Sequence, residues 1–438
     1  MATYKNLRKV LNLPTLSESP SSGVNGEMYF NTTDSALHIY DGVWKKVTQS
    51  DFPGPDWTVA AQQAKLVASD AQASDAFGWS VDIDGDTLVV GAWYEDAGGS
   101  NAGAAYVFTR SGTSWSQQAK LVASDAQASD EFGNSIAISG DTVVVGAYIE
   151  DTGATSAGAA YVFTRSGTTW SQQAKIQGST TVIYDNFGMS VAIDSNTIIV
   201  GSTGKDTGAS DAGAAYIFTR SGTTWSQQAL LTASDPQSND QFGYSVSISS
   251  DTVVVGANNE DTGGTDAGAA YVFTRSGTSW SQQAKLQASD KAAGDQFGYS
   301  VSISSDSVVA GAHLEDTGGT SAGAAYVFTR SGTSWSQQAK IVAANAGEND
   351  NFGISVDIDG DNVIVGAIKE DTKAADGGAV YVFTRSGTSW SQQKLLTASD
   401  VPAYKRFGHA VAIDGKTAVG TSEKVDSGAG AAYAFLAG

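Results

Sequence analysis

The sequence predicts an all-β fold, a seven-bladed β-propeller of four-stranded blades, and three observations carry that prediction. The pair Phe-Gly recurs at Phe77, Phe132, Phe187, Phe242, Phe297, Phe352 and Phe407, always 55 residues apart. A second series, Trp115, Trp170, Trp225, Trp280, Trp335 and Trp390, keeps the same step within Ser-Gly-Thr-(Ser/Thr)-Trp-Ser-Gln-Gln. The chain ends on the third strand of a unit, and the matching fourth strand stands ahead of the first repeat. A unit of about 40 to 55 residues with four strand signals cannot bury its own faces, whereas blades stacked around a ring can.

The first 56 residues differ in kind from the rest. Tyr4, Leu7, Val10 and Leu11 form an apolar stripe among Lys5, Arg8 and Lys9, the pattern of a short amphipathic segment that docks on a larger surface. Residues 14–25, rich in Ser and Pro, read as a linker. Residues 26–45 have the pattern of a three-stranded β-meander, too small to bury a core alone. Together these pieces make an N-terminal adaptor, residues 1–56, ahead of a propeller spanning 57–438.

Each propeller unit resolves into four strands. Residues 77–83 alternate apolar and polar side chains, the mark of a half-buried strand, while 87–92 form a continuous apolar run suited to burial on both faces. The third strand is 104–109 and the fourth 115–121, where strict alternation puts Trp115, Gln117, Ala119 and Leu121 on one face and Ser116, Gln118 and Lys120 on the other. Asp84-Gly85-Asp86 and Ser111-Gly112 supply hairpin turns. Gln62-Gln63-Ala64-Lys65-Leu66, led by Trp57, repeats the fourth-strand pattern and supplies what 431–438 lacks, so the ring closes. An open array would instead need capping units at its ends.

Composition narrows the function. At 438 residues the chain exceeds the roughly 250 to 300 at which one core stops growing. Cysteine is absent, which excludes disulfides and thiolate metal sites. No apolar run is long enough for a membrane-spanning helix, and the basic residues at the start are not followed by the apolar core of a secretion signal. The net charge of −21 disfavours nucleic acid and anionic membranes and favours cations or basic partners.

Phe-Gly-x-Ser-Val, the Val-Val-Gly-Ala of the second strand and Gly-Ala-Ala-Tyr-Val-Phe-Thr-Arg-Ser-Gly resemble the FG-GAP repeats of integrin α-subunit propellers and their microbial relatives, over about residues 57–438. The proline of the family's Gly-Ala-Pro is replaced here by Trp93, Tyr148, Asn258, His313 and Ile368. The resemblance implies a ligand-binding face and, in integrins, a calcium loop between the first two strands. That loop is cut here to Asp84-Gly85-Asp86, Ser139-Gly140-Asp141 or Ser249-Ser250-Asp251, too short for the six or more oxygens Ca²⁺ takes, so no metal site and no cofactor are carried over. Separately, the segment Gly-Glu-Met-Tyr-Phe-Asn-Thr-Thr-Asp with Leu37, Tyr40, Asp41, Gly42 and Trp44 resembles a motif of bacteriophage tail-fibre and other virion proteins.

Strand order sorts charge by face. The loops between blades and those joining second to third strands share one face, and they carry Asp70, Asp75, Asp125, Asp130, Asp235, Asp240, Asp290 and Asp295, together with Glu95, Asp96, Glu150, Asp151, Glu260, Asp261, Glu315, Asp316, Glu370 and Asp371. This acidic face is the expected binding surface, set against the plainer reading that Asp caps turns and keeps surfaces soluble. On the opposite face Arg110, Arg165, Arg220, Arg275, Arg330 and Arg385 vary together with Asp86, Asp141, Asn196, Asp251, Asp306 and Asp361, both changing in the last unit to Leu436 and Lys416, which predicts a structural ion pair. His38, His313 and His409 carry no partner motif, and near-identical units argue against one reaction centre.

The expected function is that of a non-enzymatic bacteriophage virion protein, a tail, fibre or head-decoration component assembled in the host cytoplasm and exposed on the particle. Expected partners are other virion proteins through residues 1–56 and a host-surface protein or glycan at the propeller, in an oligomeric arrangement. Two alternatives stay open: an extracellular integrin-like adhesin of a cell, and a polysaccharide-active propeller enzyme, which would need a unique carboxylate or histidine cluster.

Overall fold

A computed structural model describes residues 15–16, 28–31, 36–40, 44–46 and 54–438, and the chain divides into two compact units, Met1–Asp56 and Trp57–Gly438. The amphipathic segment expected at residues 4–11 lies outside the described residues. In the first unit Met28–Asn31, Ala36–Tyr40 and Trp44–Lys46 pair antiparallel as a meander. Thr15–Leu16, expected within a linker, instead adds a short parallel strand to its edge.

The second unit is a closed ring of seven four-stranded antiparallel sheets. Blade 1 comprises Phe77–Asp84, Thr87–Ala92, Ala104–Ser111 and Ser114–Leu121, from axis to rim. The pattern repeats through blade 6, which ends with Ser389–Leu396. Blade 7 joins Val411–Asp414, Thr417–Ser422 and Ala431–Leu436 to Ala61–Leu66 from the start of the unit, closing the ring as the termini require.

Second strands are buried on both faces: Val89 and Val90 are inaccessible, one facing each neighbouring blade. Phe77 packs edge-on against Tyr106 and Phe108, at 5.5 and 6.0 Å between ring centroids, and this trio recurs in every blade. Glycine is required where adjacent blades touch backbone to backbone. A Cβ on Gly91 would lie 2.1 Å from the Gly133 carbonyl oxygen, and one on Gly103, at φ +86°, 2.0 Å from that of Phe132. The Phe132 amide donates to the Ala102 carbonyl at 2.9 Å and the Ser80 hydroxyl to Gly133 at 2.8 Å. The Phe-Gly repeat is thus the seam between blades.

Around the axis each blade is also tied to the next. The side chains of Asp84, Ser139, Asp194, Ser249, Ser304, Asp359 and Asp414 each accept the backbone N–H of the following blade's first turn, at 2.5 to 3.1 Å. Seven bonds in head-to-tail order make a complete hoop.

Further expectations need correction. The fourth strand does not alternate strictly: a bulge places Gln117 opposite Phe108 and Ala119 opposite Val107, leaving Gln118 without a partner across the pair. Lys120 therefore shares the Trp115 face, above Tyr106, while Ala119 and Leu121 turn to the next blade. Gln118 itself accepts the Trp170 indole N–H of the next blade at 2.7 Å, and this Trp–Gln ladder continues from Gln63–Trp115 to Gln338–Trp390. The second correction concerns Trp57. It stands three residues ahead of the repeat position, where Ala60 sits, and lies in a 3-10 turn. It is buried and donates to Asn362 at 3.0 Å. That site is otherwise served by an arginine: Arg110 reaches Thr417 and Arg385 reaches Ser307 of the blade before. The expected replacement of the arginine by Leu436 is also corrected. The loop before the last strand of blade 7 is three residues shorter, and Leu436 pairs with Thr417 as Thr384 pairs with Asn362. Ala437 therefore holds the arginine's place, and Trp57 supplies the missing donor.

Candidate recognition face

The carboxylates expected as a binding surface all sit on the loops of one face, and they fall into three roles. In blade 1 the Lys120 ammonium bridges Asp70 at 2.6 Å and Glu95 at 2.7 Å, while the Tyr106 hydroxyl donates to Asp70 at 2.9 Å. Lys175 holds Asp125 and Glu150, Lys285 holds Asp235 and Glu260, and Lys340 holds Asp290 and Glu315 in the same way. The glutamates are buried, Glu150 and Glu260 at 0% exposure, and each also accepts a backbone N–H two residues on. Burial works to raise the pKa of Asp70, Asp125, Asp235 and Asp290, but the lysine and tyrosine hydrogen bonds outweigh it and hold each below the usual carboxylate range.

Asp75, Asp130, Asp240 and Asp295 are buried and each accepts the backbone N–H three residues back, at 2.7 Å. Burial, reinforced by neighbouring carboxylates, pushes all four up, Asp130 and Asp240 to about 6. Asp96, Asp151, Asp261, Asp316 and Asp371 are exposed, but one oxygen of each closes its loop on the N–H five residues on.

The chain varies this scheme as a unit. Blade 3 has Thr180, Lys205 and Leu230 in place of Asp, Glu and Lys, and Lys205 now pairs with Asp185 at 3.0 Å. Blade 6 loses the lysine to Leu395, and Asn345 replaces the aspartate, donating to Glu370 at 2.8 Å. In blade 3 charge is exchanged so that pairing is preserved, the behaviour of a structural network, whereas in blade 6 the Asn345 amide stands in for the cation and the Glu370 Oε2 is left without a hydrogen-bond partner. The paired arginines opposite behave likewise, Arg110 lying 2.7 Å from Asp86 and over the Trp115 ring.

At the centre of the acidic face lies a site that the composition of the loops did not reveal. The residue after each Phe-Gly stands at the head of an innermost strand: Trp79, Asn134, Met189, Tyr244, Tyr299, Ile354 and His409. Outside it runs the residue after each second strand: Trp93, Tyr148, Thr203, Asn258, His313, Ile368 and Glu423. Trp79 stacks on Trp93 at 4.0 Å, Trp93 on Tyr94 at 4.0 Å, and His409 leans on Trp79 at 4.5 Å. Tyr299 contacts Tyr244 at 4.8 Å and His313 at 4.1 Å. Burial lowers His313 to about 4, with nearby Lys369 acting in the same direction, so its imidazole is neutral near pH 7. A cavity of about 290 Å³ opens here, with Trp79, Asn134, Tyr244, Tyr299 and Ile354 in its wall. The signal was available: these positions differ from blade to blade in a chain whose blades otherwise nearly repeat.

Deeper in the channel Asp82 and Asp357 face the axis. Asp82 accepts from the Ile83 and Ile138 amides, and Asp357 from Ser302 and the Ile358 and Ile413 amides. Burial dominates, pushing Asp82 up to about 8 and Asp357 to about 6. Among the described residues no group of three or more His, Cys, Asp or Glu side chains is placed to hold a metal ion.

These features define a ring-closed repeat propeller whose recurring parts hold blade to blade and whose varied parts surround one axial mouth. The model of the family described as FG-GAP repeat matches residues 60–108, 115–163, 170–218, 225–273, 280–328, 335–383 and 390–435. The chain belongs to that family. A comparison with curated proteins found no match.

Proposed function

We propose that the propeller is a non-enzymatic recognition head that binds its target at the axial mouth, and that the protein is a bacteriophage virion component attached through residues 1–56. The observation that carries the recognition reading is the concentration of blade-to-blade variation, with its aromatic side chains, at the mouth. Elsewhere the repeat spends most of its charged groups on itself, the loop carboxylates on lysine, tyrosine and backbone N–H, and the arginines on the aspartates of the opposite face. His313 and His409 are taken up by aromatic stacks, which favours binding over catalysis.

The virion reading rests on the resemblance of residues 26–45 to phage fibre segments. Mass spectrometry of purified virions tests it: the chain is expected among the particle proteins, and a protein with residues 1–56 deleted is expected to be lost from them. Absence from particles, with the chain found on a cell surface, would favour the adhesin of a cell, a reading that FG-GAP propellers equally accommodate.

A further inference from the structure

The loop that leads into blade 3 turns apolar side chains to solvent. Val182, Ile183 and Tyr184 are 53%, 51% and 59% exposed, and no other run of three exposed large hydrophobic side chains occurs among the described residues. The same positions read Gln-Ala-Ser in the loops into blades 1 and 2, Gln-Ser-Asn into blade 4, Ala-Ala-Gly into blade 5, Gly-Glu-Asn into blade 6 and Pro-Ala-Tyr into blade 7. Folding does not call for the exchange, since every other loop closes without aliphatic side chains there. Tyr184 sits at φ +64°, in the left-handed region that disfavours a bulky residue and where five of the other six loops place Ser, Asn or Gly. Leu230, 40% exposed, extends the apolar character of this sector in the place of the lysine that bridges two carboxylates in blades 1, 2, 4 and 5. Single exposed apolar residues are ordinary, whereas a contiguous set marks an interaction surface.

The loop is held in place from both sides. The Val182 amide donates to buried Asp185 at 2.7 Å, and Lys205 pairs with the same carboxylate at 3.0 Å. The Tyr184 amide donates to the Thr155 carbonyl of blade 2 at 2.9 Å, and the Gly204 amide of blade 3 donates to the Asp185 carbonyl at 3.2 Å. A loop fixed in this way has little freedom left to lose when it is covered.

Charge selects what covers it. The two flanking loops present Asp151 and Asp206, both exposed, and the half-buried Asp211. Asp151 and Asp206 each give one oxygen to a loop amide and leave the other to solvent. The nearby cations are already taken, Lys175 by Asp125 and Glu150 and Lys205 by Asp185. An anionic lipid surface, or the same acidic face of a second copy, would meet like charge there. An apolar anchor with cations around it would meet opposite charge.

We infer that the loop into blade 3 is a second docking surface, beside the axial mouth, for a partner protein that offers an apolar side chain flanked by lysine or arginine. It goes beyond recognition at the mouth and does not depend on it. The test is calorimetric titration of the full-length protein at physiological ionic strength with three peptides: an amphipathic leucine–lysine peptide, a serine–lysine peptide of equal charge and a leucine–glutamate peptide. The decisive variant is the triple Val182→Gln, Ile183→Ala, Tyr184→Ser, which copies the loop into blade 2 and so uses a sequence that this fold already closes. Tyr404→Ser, at the same loop position before blade 7, and Trp79→Ala at the mouth serve as comparisons.

The leucine–lysine peptide is expected to bind about tenfold more tightly than either other peptide. The triple variant should abolish that preference, and Tyr404→Ser and Trp79→Ala should keep it. Melting temperatures check the fold, and Ile183→Ala alone, which should weaken binding of the leucine–lysine peptide, stands in if the triple is unstable. Equal binding to parent and triple would overturn the site. A serine–lysine peptide that binds as well as leucine–lysine would reduce the attraction to charge and overturn the apolar anchor. Preference for leucine–glutamate would overturn the partner class. So would self-association of the parent in sedimentation, or its flotation with phosphatidylserine vesicles, if the triple abolished either.

Discussion

Replacing Lys175 with leucine isolates the network that consumes the acidic face. Its ammonium lies 2.7 Å from Asp125 and 2.8 Å from Glu150, and the two carboxylates differ: the Asp125 side chain is 39% exposed, that of Glu150 is 0%. Losing the partner of an exposed carboxylate costs about 0 to 1 kcal/mol. Leaving a buried carboxylate without its cation costs about 3 to 5 kcal/mol, so Glu150 dominates. Lys175→Leu should therefore destabilise the propeller by about 3 to 5 kcal/mol, measured by denaturant unfolding at pH 7, whereas Asp125→Asn should cost about 1 kcal/mol or less.

Blade 3 supplies the compensating set. The triple variant Asp125→Thr, Glu150→Lys, Lys175→Leu copies Thr180, Lys205 and Leu230, and Lys205 finds Asp185 there as the new lysine would find Asp130. The triple should recover to within about 1 kcal/mol of the parent, a coupling that non-additivity in a mutant cycle reads directly. A cost below about 1 kcal/mol for Lys175→Leu, or a triple no better than the single, would refute the account of these carboxylates as internal partners.

Three further outcomes are expected. Trp57→Ala removes a buried indole and the donor to Asn362, so it should cost about 3 to 5 kcal/mol and raise amide exchange in Ala61–Leu66 and Ala431–Leu436 before other blades; uniform exchange across blades would contradict its role as the closure latch. Asp82 is raised by burial to about 8 from an unfolded value of about 3.9, so its contribution to stability is full below about pH 4 and is lost as pH rises towards 8. Asp82→Asn should flatten the fall in stability over that window, and an unchanged pH profile would show that the carboxyl is already ionised in the fold. Because the loop carboxylates are paired within the protein, EDTA should leave the melting temperature unchanged, and a drop of many degrees would establish a structural cation.

The period of 55 made the ring legible, and the two ends of the chain made its closure legible, because an unpaired third strand and a displaced fourth can only meet. The arginine pairs were legible because arginine and aspartate are both lost in the last unit, although a three-residue shortening of its loop hid that Ala437, and not Leu436, stands opposite Lys416. The bulge was not: Gln117 and Gln118 are the same residue, and nothing in the sequence says which one drops out of register. Trp57 was misread for a related reason, since matching its strand to the repeat hid a three-residue offset. The Asp–Lys–Glu network joins residues 50 and 25 apart in the chain, and only the joint change at Thr180, Lys205 and Leu230 betrays it. The mouth was hardest, because Trp79 and His409 become neighbours only when the ring closes.

The central claim is that recognition belongs to the varied mouth and not to the acidic rim around it. Its most direct measurement is the binding of labelled full-length protein to host cells, comparing Trp79→Ala with the rim variant Asp96→Asn, Asp261→Asn. Loss of binding with the mouth variant and retention with the rim variant is the predicted result. The reverse pattern would return function to the carboxylates and contradict the account.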